Sequence, residues 1–466
     1  MPVAGAALAA LLAGGAAAPA RDCAMLAGRR FAAARVASAG LRTPADAPAF
    51  CRVVLEARPV AGSRIGLEVW LPLQGWTGRF VQLGTGGFAG TVPGAGMAAE
   101  VGRGNAVAVT DTGHKGRDGF DARWAAGAGR RVVDYGYRSL LVSAPAAKAL
   151  VAAYYGAPAR FSYFVGCSNG GRQALMAAER DPGDWDGVLA GAPALAWSGQ
   201  LAHFAQIQQA LRRPEAAITP AKLPAIQAAA RRQCAEAEVC AFDPAALRCA
   251  AGETDACLTA PQIEALRLIT RDFDPRWAAV PRGWDAWIVN PDRAARTQLT
   301  FAEQFFGEMV LSRPQWRVED LTPADLARAA RLAPVLDATR PLDAFRRRGG
   351  KLLAYMGAAD PVISPARVVG WFEGHAQPDF VRLFVIPGML HCQGGSEPNA
   401  FGQAPVAPAA APDAEHDIRR ALEDWVERGR APQSLTAVRY VGDDPAKGVA
   451  ASRTVRAHAL RRRAAA

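Results

Sequence analysis

Three residues far apart in the chain are of the types that together perform acyl transfer: Ser168, Asp360 and His391. Ser168 lies in Gly166-Cys167-Ser168-Asn169-Gly170, a match to G-x-S-x-G. In that motif the serine sits on a sharp strand-to-helix turn with its hydroxyl exposed. A serine hydroxyl is a weak nucleophile until a base takes its proton, and the base needs an acid to hold its tautomer. On that turn the partners follow in the order serine, acid, histidine, and Asp360 and His391 keep that order. The alternative is a glycine-rich turn that merely carries a surface serine.

The flanking stretches have the character needed to position these three. Arg160 to Val165 carries the aromatic and β-branched residues of a buried strand, and Arg172 to Arg180 is rich in helix formers. The backbone N–H groups after Ser168 then point from a helix N-terminus, where negative charge is favoured. The N–H of Asn169 is the first candidate donor to an oxyanion. Lys351 to Met356 reads as a short buried strand running into the loop that holds Asp360, and Val381 to Ile386 as another running into His391.

Cys167 precedes the candidate nucleophile and Cys392 follows the candidate base. If Ser168 and His391 are hydrogen-bonded, these neighbours come within disulfide range. Two buried free thiols are the alternative.

Earlier in the chain, Met25 to Ala39 reads as a short helix, and Cys51 to Ala57, Ser63 to Leu71 and Trp76 to Leu83 as strands. The last ends at a glycine run from Gly84. An N–H after an early strand supplies the second oxyanion donor in hydrolases of this kind, which makes Gly86 or Gly87 the candidate; a plain tight turn is the competing reading. Asn105 to Thr110 is a strand leading to His114. That histidine precedes the nucleophile and is read as structural, while His203, His375, His416 and His458 lack a strand-end setting. Asp134 to Tyr155 is an amphipathic helix that crosses back to the nucleophile strand, which makes the sheet locally parallel. Ile418 to Arg428 is an amphipathic closing helix.

With these motifs in place, the chain resembles the tannase and feruloyl esterase family of secreted α/β-hydrolases, which also includes an enzyme cleaving a terephthalate monoester. The resemblance rests on Cys167-Ser168 and His391-Cys392, on Gly84-Thr85-Gly86-Gly87-Phe88-Ala89-Gly90, on Asp111-Thr112-Gly113-His114 and on Asp186 to Pro193, and runs from about Cys23 to about Arg453. It implies an α/β-hydrolase core, a mostly parallel sheet flanked by helices, with a large inserted lid domain. It implies a disulfide across the active site and a small-molecule substrate that is an ester of an aromatic acid: feruloyl or another hydroxycinnamoyl, galloyl, or a terephthalate monoester. The division expected is 21–195 for the first part of the core, 196–345 for the lid and 346–466 for the second part with a C-terminal tail. Trp277, Trp284, Trp287 and Trp316 fall in the lid, mostly in its own core, and of Phe301, Phe305 and Phe306 at least one is core.

The remaining cysteines are neighbours in sequence as Cys23 and Cys51, Cys234 and Cys240, Cys249 and Cys257, and the resemblance supports these pairings. A four-cysteine zinc site is the alternative for the last four, but their spacings are not those of common zinc modules. The family's lid often carries a calcium loop rich in Asp and Gly. Here Cys234-Ala235-Glu236-Ala237-Glu238-Val239-Cys240 stands in its place, with too few oxygen ligands for calcium. No metal and no cofactor are expected.

Composition narrows the rest. The 466 residues are 50% hydrophobic and 21% charged, with a net charge of +11, an ordinary globular balance. The excess arginine is scattered, with no basic stripe, which argues against nucleic acid. Residues 1–20 are almost wholly Ala, Gly, Leu, Val and Pro and end in Ala18-Pro19-Ala20; they read as a signal peptide despite lacking a basic start. They are short and weakly apolar for a membrane span. With eight cysteines, this points to a secreted or periplasmic protein; no sequence feature assigns an oligomeric state. The reading is a serine carboxylesterase. Its rivals are an acyltransferase using the same acyl-enzyme, a non-catalytic binding protein on the same fold, and a redox role for Cys167 and Cys392.

Overall fold

The computed structural model describes residues 22–45, 47–235, 240–295, 297–375 and 377–460. The expected signal segment, the tail Arg461-Arg462-Arg463 and the pair Glu236 and Glu238 lie outside the described residues.

Among the described residues twelve strands form two sheets: β1 (Arg30–Phe31), β2 (Ala34–Arg42), β3 (Phe50–Ala57), β4 (Ile65–Pro72), β5 (Arg79–Leu83), β6 (Ala106–Thr110), β7 (Phe161–Cys167), β8 (Gly187–Gly191), β9 (Lys351–Gly357), β10 (Val381–Ile386), β11 (Ser434–Tyr440) and β12 (Val449–Arg456). The first ten make one sheet in the order β1-β2-β3-β4-β6-β5-β7-β8-β9-β10. β6, β5 and β7 to β10 run parallel, and β1 to β4 form an antiparallel wing. This is the mostly parallel α/β-hydrolase core, with β11 and β12 as a separate antiparallel hairpin.

The central strands are apolar along their length because both faces are covered. Side chains alternate across a strand. Phe164, Val188, Leu352 and Ala354 face the helices Ser139–Tyr155 and Asn169–Arg180, while Tyr163, Val165, Leu189, Leu353 and Tyr355 face the helices Gly94–Gly102 and Ile418–Arg428. Between the parallel neighbours β8 and β9 the chain leaves the sheet for residues 192–350, whose described residues form helices, turns and loops. Trp284 and Trp316 are buried there, as are Phe301, Phe305 and Phe306.

One local expectation is corrected, and the zinc alternative gives way to the expected cysteine pairs. Met25 to Ala39 is not a helix. Only Cys23–Leu26 makes a helical turn, after which the chain pairs as β1 and β2. Its alanines favour helix, but the pairing of β2 along β3 overrides that local preference. The four cysteines between 234 and 257 are joined as Cys234–Cys240 and Cys249–Cys257, which leaves no thiolate set for zinc. Cys23 is bonded to Cys51.

Candidate active site

Ser168 stands between the end of β7 and the helix Asn169–Arg180. Its backbone is at φ 63°, ψ −128°, a conformation that costs a non-glycine residue on the order of 1–3 kcal/mol and persists only where surroundings enforce it. Here they do. Ser168 N–H donates to the Gly191 carbonyl (2.9 Å), and the Ser168 carbonyl accepts from Arg172 N–H (3.0 Å) and Ala194 N–H (3.2 Å). The hydroxyl does not cap its own helix. Helix formation stops at Asp181, the residue before Pro182, where the helical conformation is disfavoured.

Asp360 and His391 come from the loops that follow β9 and β10. His391 Nδ1 lies 2.7 Å from Asp360 Oδ2, and the carboxylate accepts two further bonds at Oδ1, from Val362 N–H (2.7 Å) and Ile363 N–H (2.9 Å). Asp360 is buried. With Nδ1–H donating to the carboxylate, Nε2 is left as the basic nitrogen. The two loops pack tightly. A methyl group on Gly357 would lie 2.5 Å from the Leu390 carbonyl oxygen, and Ala359 N–H donates to the Met389 carbonyl at 3.0 Å. Among the described residues no hydrogen bond joins Ser168 to His391; such contacts are often long without substrate and tighten in the complex.

A disulfide connects the Ser168 and His391 segments. Cys167 and Cys392 are bonded across 225 positions with their Cα atoms 6.0 Å apart. The three chemistry-bearing side chains thus belong to two clamped units, Ser168 on its turn and His391 with Asp360.

The loop after β5 lies against the helix that Ser168 begins. Asn169 Nδ2 donates to the Thr85 carbonyl (2.8 Å), and Gln173 Oε1 accepts from Thr85 N–H (2.8 Å). Gly86 borders open space, whereas Gly87, at φ 55°, packs against Gly119. The sequence reading missed the buried support behind this loop. Arg172 is fully buried, and its guanidinium donates to Asn169 Oδ1 (2.8 Å) and to the carbonyls of Gly136 (3.0 Å), Leu336 (3.0 Å) and Tyr135 (3.3 Å). Burial pulls its pKa down from the ordinary arginine value, and the cage of carbonyls offsets the lost hydration. Tyr135 sits on a π-helical turn, Asp134–Arg138. The Asn169/Gln173 spacing on one helix face could have signalled the two contacts to Thr85, though not the arginine cage.

The other histidines have structural partners. His114 Nε2 donates to the Phe88 carbonyl (2.9 Å), and its ring stacks on Trp124; burial lowers its pKa to about 4. His203 bonds the Leu268 carbonyl, His375 the Trp371 carbonyl, His416 Asp413 and His458 Glu373.

Residues 192–350 touch the site from above β8 and β9. Gln298 Nε2 donates to the Pro361 carbonyl, next to Asp360, at 2.9 Å, and a methyl on Gly283 would meet Leu390, next to His391, at 3.4 Å. Half-buried Phe120 and Trp287 stack with centroids 6.2 Å apart, and Phe120 meets Phe301 at 4.5 Å. Among the described residues no group of three or more His, Cys, Asp or Glu side chains is placed to hold a metal ion. None of the described helices is long and apolar enough to cross a membrane.

The sheet order and the strand-end acid, base and elbow serine define an α/β-hydrolase. The family model for tannase and feruloyl esterase matches residues 51–276 and 274–460, and the chain belongs to that family of carboxylic ester hydrolases. The match extends past Arg453, where the resemblance was expected to end. An uncharacterized esterase of Xanthomonas campestris is 39% identical over 462 residues, covering 87% of this chain and 80% of that protein. A probable feruloyl esterase B-2 of Aspergillus flavus is 29% identical, covering 87% and 82%. The crystal structure of feruloyl esterase B from Aspergillus oryzae superposes with a TM-score of 0.82 at 25% identity, covering 95% of this chain and 96% of that one.

Proposed function

We propose that this chain is a secreted or periplasmic serine esterase that hydrolyses esters of aromatic carboxylic acids through Ser168, His391 and Asp360. The observation that carries the reading is the clamped geometry: Ser168 held at φ 63° on its turn, His391 paired to Asp360 at 2.7 Å, and the two joined through Cys167–Cys392. In this mechanism His391 Nε2 takes the proton as Ser168 Oγ attacks the ester carbonyl. Asp360 holds the Nδ1–H tautomer and steadies the imidazolium. The N–H groups of Asn169 and Gly86 stabilise the oxyanion; the packing of Gly87 against Gly119 leaves Gly86 the better placed of the two glycines. The imidazolium then gives its proton to the leaving alkoxide. Water, activated by the same histidine, releases the acid.

Residues 196–345 act as a lid, and the Phe120–Trp287 pair gives it an aromatic wall suited to a planar acyl group. The names of the relatives, feruloyl esterase among them, support an aromatic acyl group. Four disulfides support an oxidising compartment. Catalysis needs no calcium and no other cofactor.

The test is a fluorophosphonate probe with a substrate panel of methyl ferulate, methyl gallate and a terephthalate monoester. Labelling at Ser168, lost in Ser168→Ala together with turnover of at least one panel member, is expected. A folded Ser168→Ala protein with near-normal turnover overturns the reading. Product analysis with an added alcohol separates hydrolysis from acyl transfer.

A further inference from the structure

Asn169 has two parts with separate consequences. Its backbone N–H lies at the start of the helix that Ser168 begins. Its carboxamide is fully buried and points back at the loop after β5. Nδ2 donates to the Thr85 carbonyl at 2.8 Å, while Oδ1 accepts from Arg172 Nε at 2.8 Å and lies 3.0 Å from the Tyr135 hydroxyl. The orientation is dictated by these partners. A flipped amide would set an oxygen against the Thr85 carbonyl and an NH2 against the Arg172 N–H, two repulsive contacts.

The Thr85 carbonyl belongs to the same peptide unit as the Gly86 N–H. That unit is planar and trans, so its C=O and N–H point in opposite directions. Drawing the carbonyl toward the Asn169 carboxamide therefore aims the Gly86 N–H away from that carboxamide, and Gly86 borders open space. One turn along, Gln173 grips the preceding peptide through Thr85 N–H at 2.8 Å. The Tyr135 hydroxyl braces the far side. Trp197 Nε1 donates to its oxygen at 3.0 Å, and its single proton serves the Gly87 carbonyl or Asn169 Oδ1, each at 3.0 Å.

We infer that the Asn169 carboxamide is a positioning residue for the oxyanion: held by Arg172 and Tyr135, it aims the Gly86 N–H at the same point as its own backbone N–H. Both donors are then fixed to one helix, and the nucleophile is fixed to it as well. The inference rests on the reading of Ser168 as nucleophile.

The experiment compares two ligands on the full chain. Phenylboronic acid forms a tetrahedral anion on a nucleophilic serine and draws on the oxyanion donors; benzamide, neutral and planar, occupies the same ring site without that charge. Asn169→Ala keeps the backbone N–H and removes the carboxamide. Its affinity for phenylboronic acid should fall about tenfold or more, and its affinity for benzamide by less than about threefold, with kcat lowered and KM little changed. Tyr135→Phe, isosteric but for the hydroxyl, should move the same readouts in the same direction by less, and serves alone if Asn169→Ala does not fold. Wild-type boronate affinity in both folded variants, or equal loss of both ligands, overturns the inference. Failure of the wild-type protein to bind the boronic acid or take a fluorophosphonate label at Ser168 overturns the nucleophile reading first, and this inference falls with it.

Discussion

Gly84 and Gly170 meet backbone to backbone: a methyl group on Gly84 would lie 2.5 Å from the Gly170 Cα, and one on Gly166 would lie 2.4 Å from the Gly170 carbonyl carbon. The end of β5, the end of β7 and the first turn of the Ser168 helix are thus in direct contact, with no side chain between them. Gly84→Ala should destabilise the fold by about 1–3 kcal/mol through overpacking and lower specific activity, because the Gly86 loop must move relative to Ser168. Gly102→Ala is the control, since its methyl would meet nothing within 4 Å. Melting temperature and activity per folded molecule check both. A Gly84→Ala protein as stable and active as the control would contradict this account of the contact.

Replacing Cys167 and Cys392 together by alanine should lower kcat more than it lowers the folded fraction at low temperature. The bridge closes a 225-residue span, for which the chain-entropy model gives roughly 5 kcal/mol as an upper figure. Ser168 is held independently by its turn, but His391 sits on a loop, and an ångström of misplacement costs about a hundredfold in rate. Activity is to be measured where circular dichroism shows native structure. Unchanged specific activity would reduce the bridge to a stability device.

Glu179, on the Ser168 helix, gives a pH signature. Its Oε1 accepts from Arg340 N–H at 2.8 Å, while Oε2 is buried without a hydrogen-bond partner among the described residues. Burial raises its pKa from 4.5 to about 8. Between those values the folded state binds the proton that the unfolded state has released, so stability falls as pH rises across that window and levels off above it. Glu179→Gln removes the titration. Thermal unfolding at a series of pH values from 4 to 9 should show a shallower decline for the variant; parallel curves would contradict the assignment.

Chelation should leave the protein unchanged. The short Cys234–Cys240 segment offers two glutamates and no Asp-Gly turn. Melting temperature and activity measured with and without EDTA should agree. A large calcium-dependent shift, which mass action would produce for an ion bound only by the folded state, would place a site elsewhere in the chain.

The candidate site was legible in the sequence where one short stretch determines its own conformation. Gly166 to Gly170 can form a sharp turn because glycines stand where a Cβ would strike backbone, and the buried strand before it and helix after it are written in local residue types. The strand-end positions of Asp360 and His391 were readable for the same reason. So were the four cysteine pairings, three from neighbours in sequence and one from the juxtaposition of Ser168 and His391.

Local pattern failed where a distant partner decides. The alanines after Met25 read as helix, yet β2 exists because β3 offers it a ladder of backbone bonds. The hairpin of β11 and β12 closes the chain on the Ile418–Arg428 side and was not foreseen. The support of the loop after β5 is the clearest case. Among the described residues no carboxylate hydrogen-bonds the buried Arg172, which is held by carbonyls of Tyr135, Gly136 and Leu336. No spacing announces such a cage, since its acceptors are backbone atoms that every residue carries. Sequence alone determined which side chains are candidates for the chemistry and in what order they occur. Only the tertiary structure decided which peptide groups face them, because the direction of an N–H depends on what the neighbouring carbonyl is bonded to.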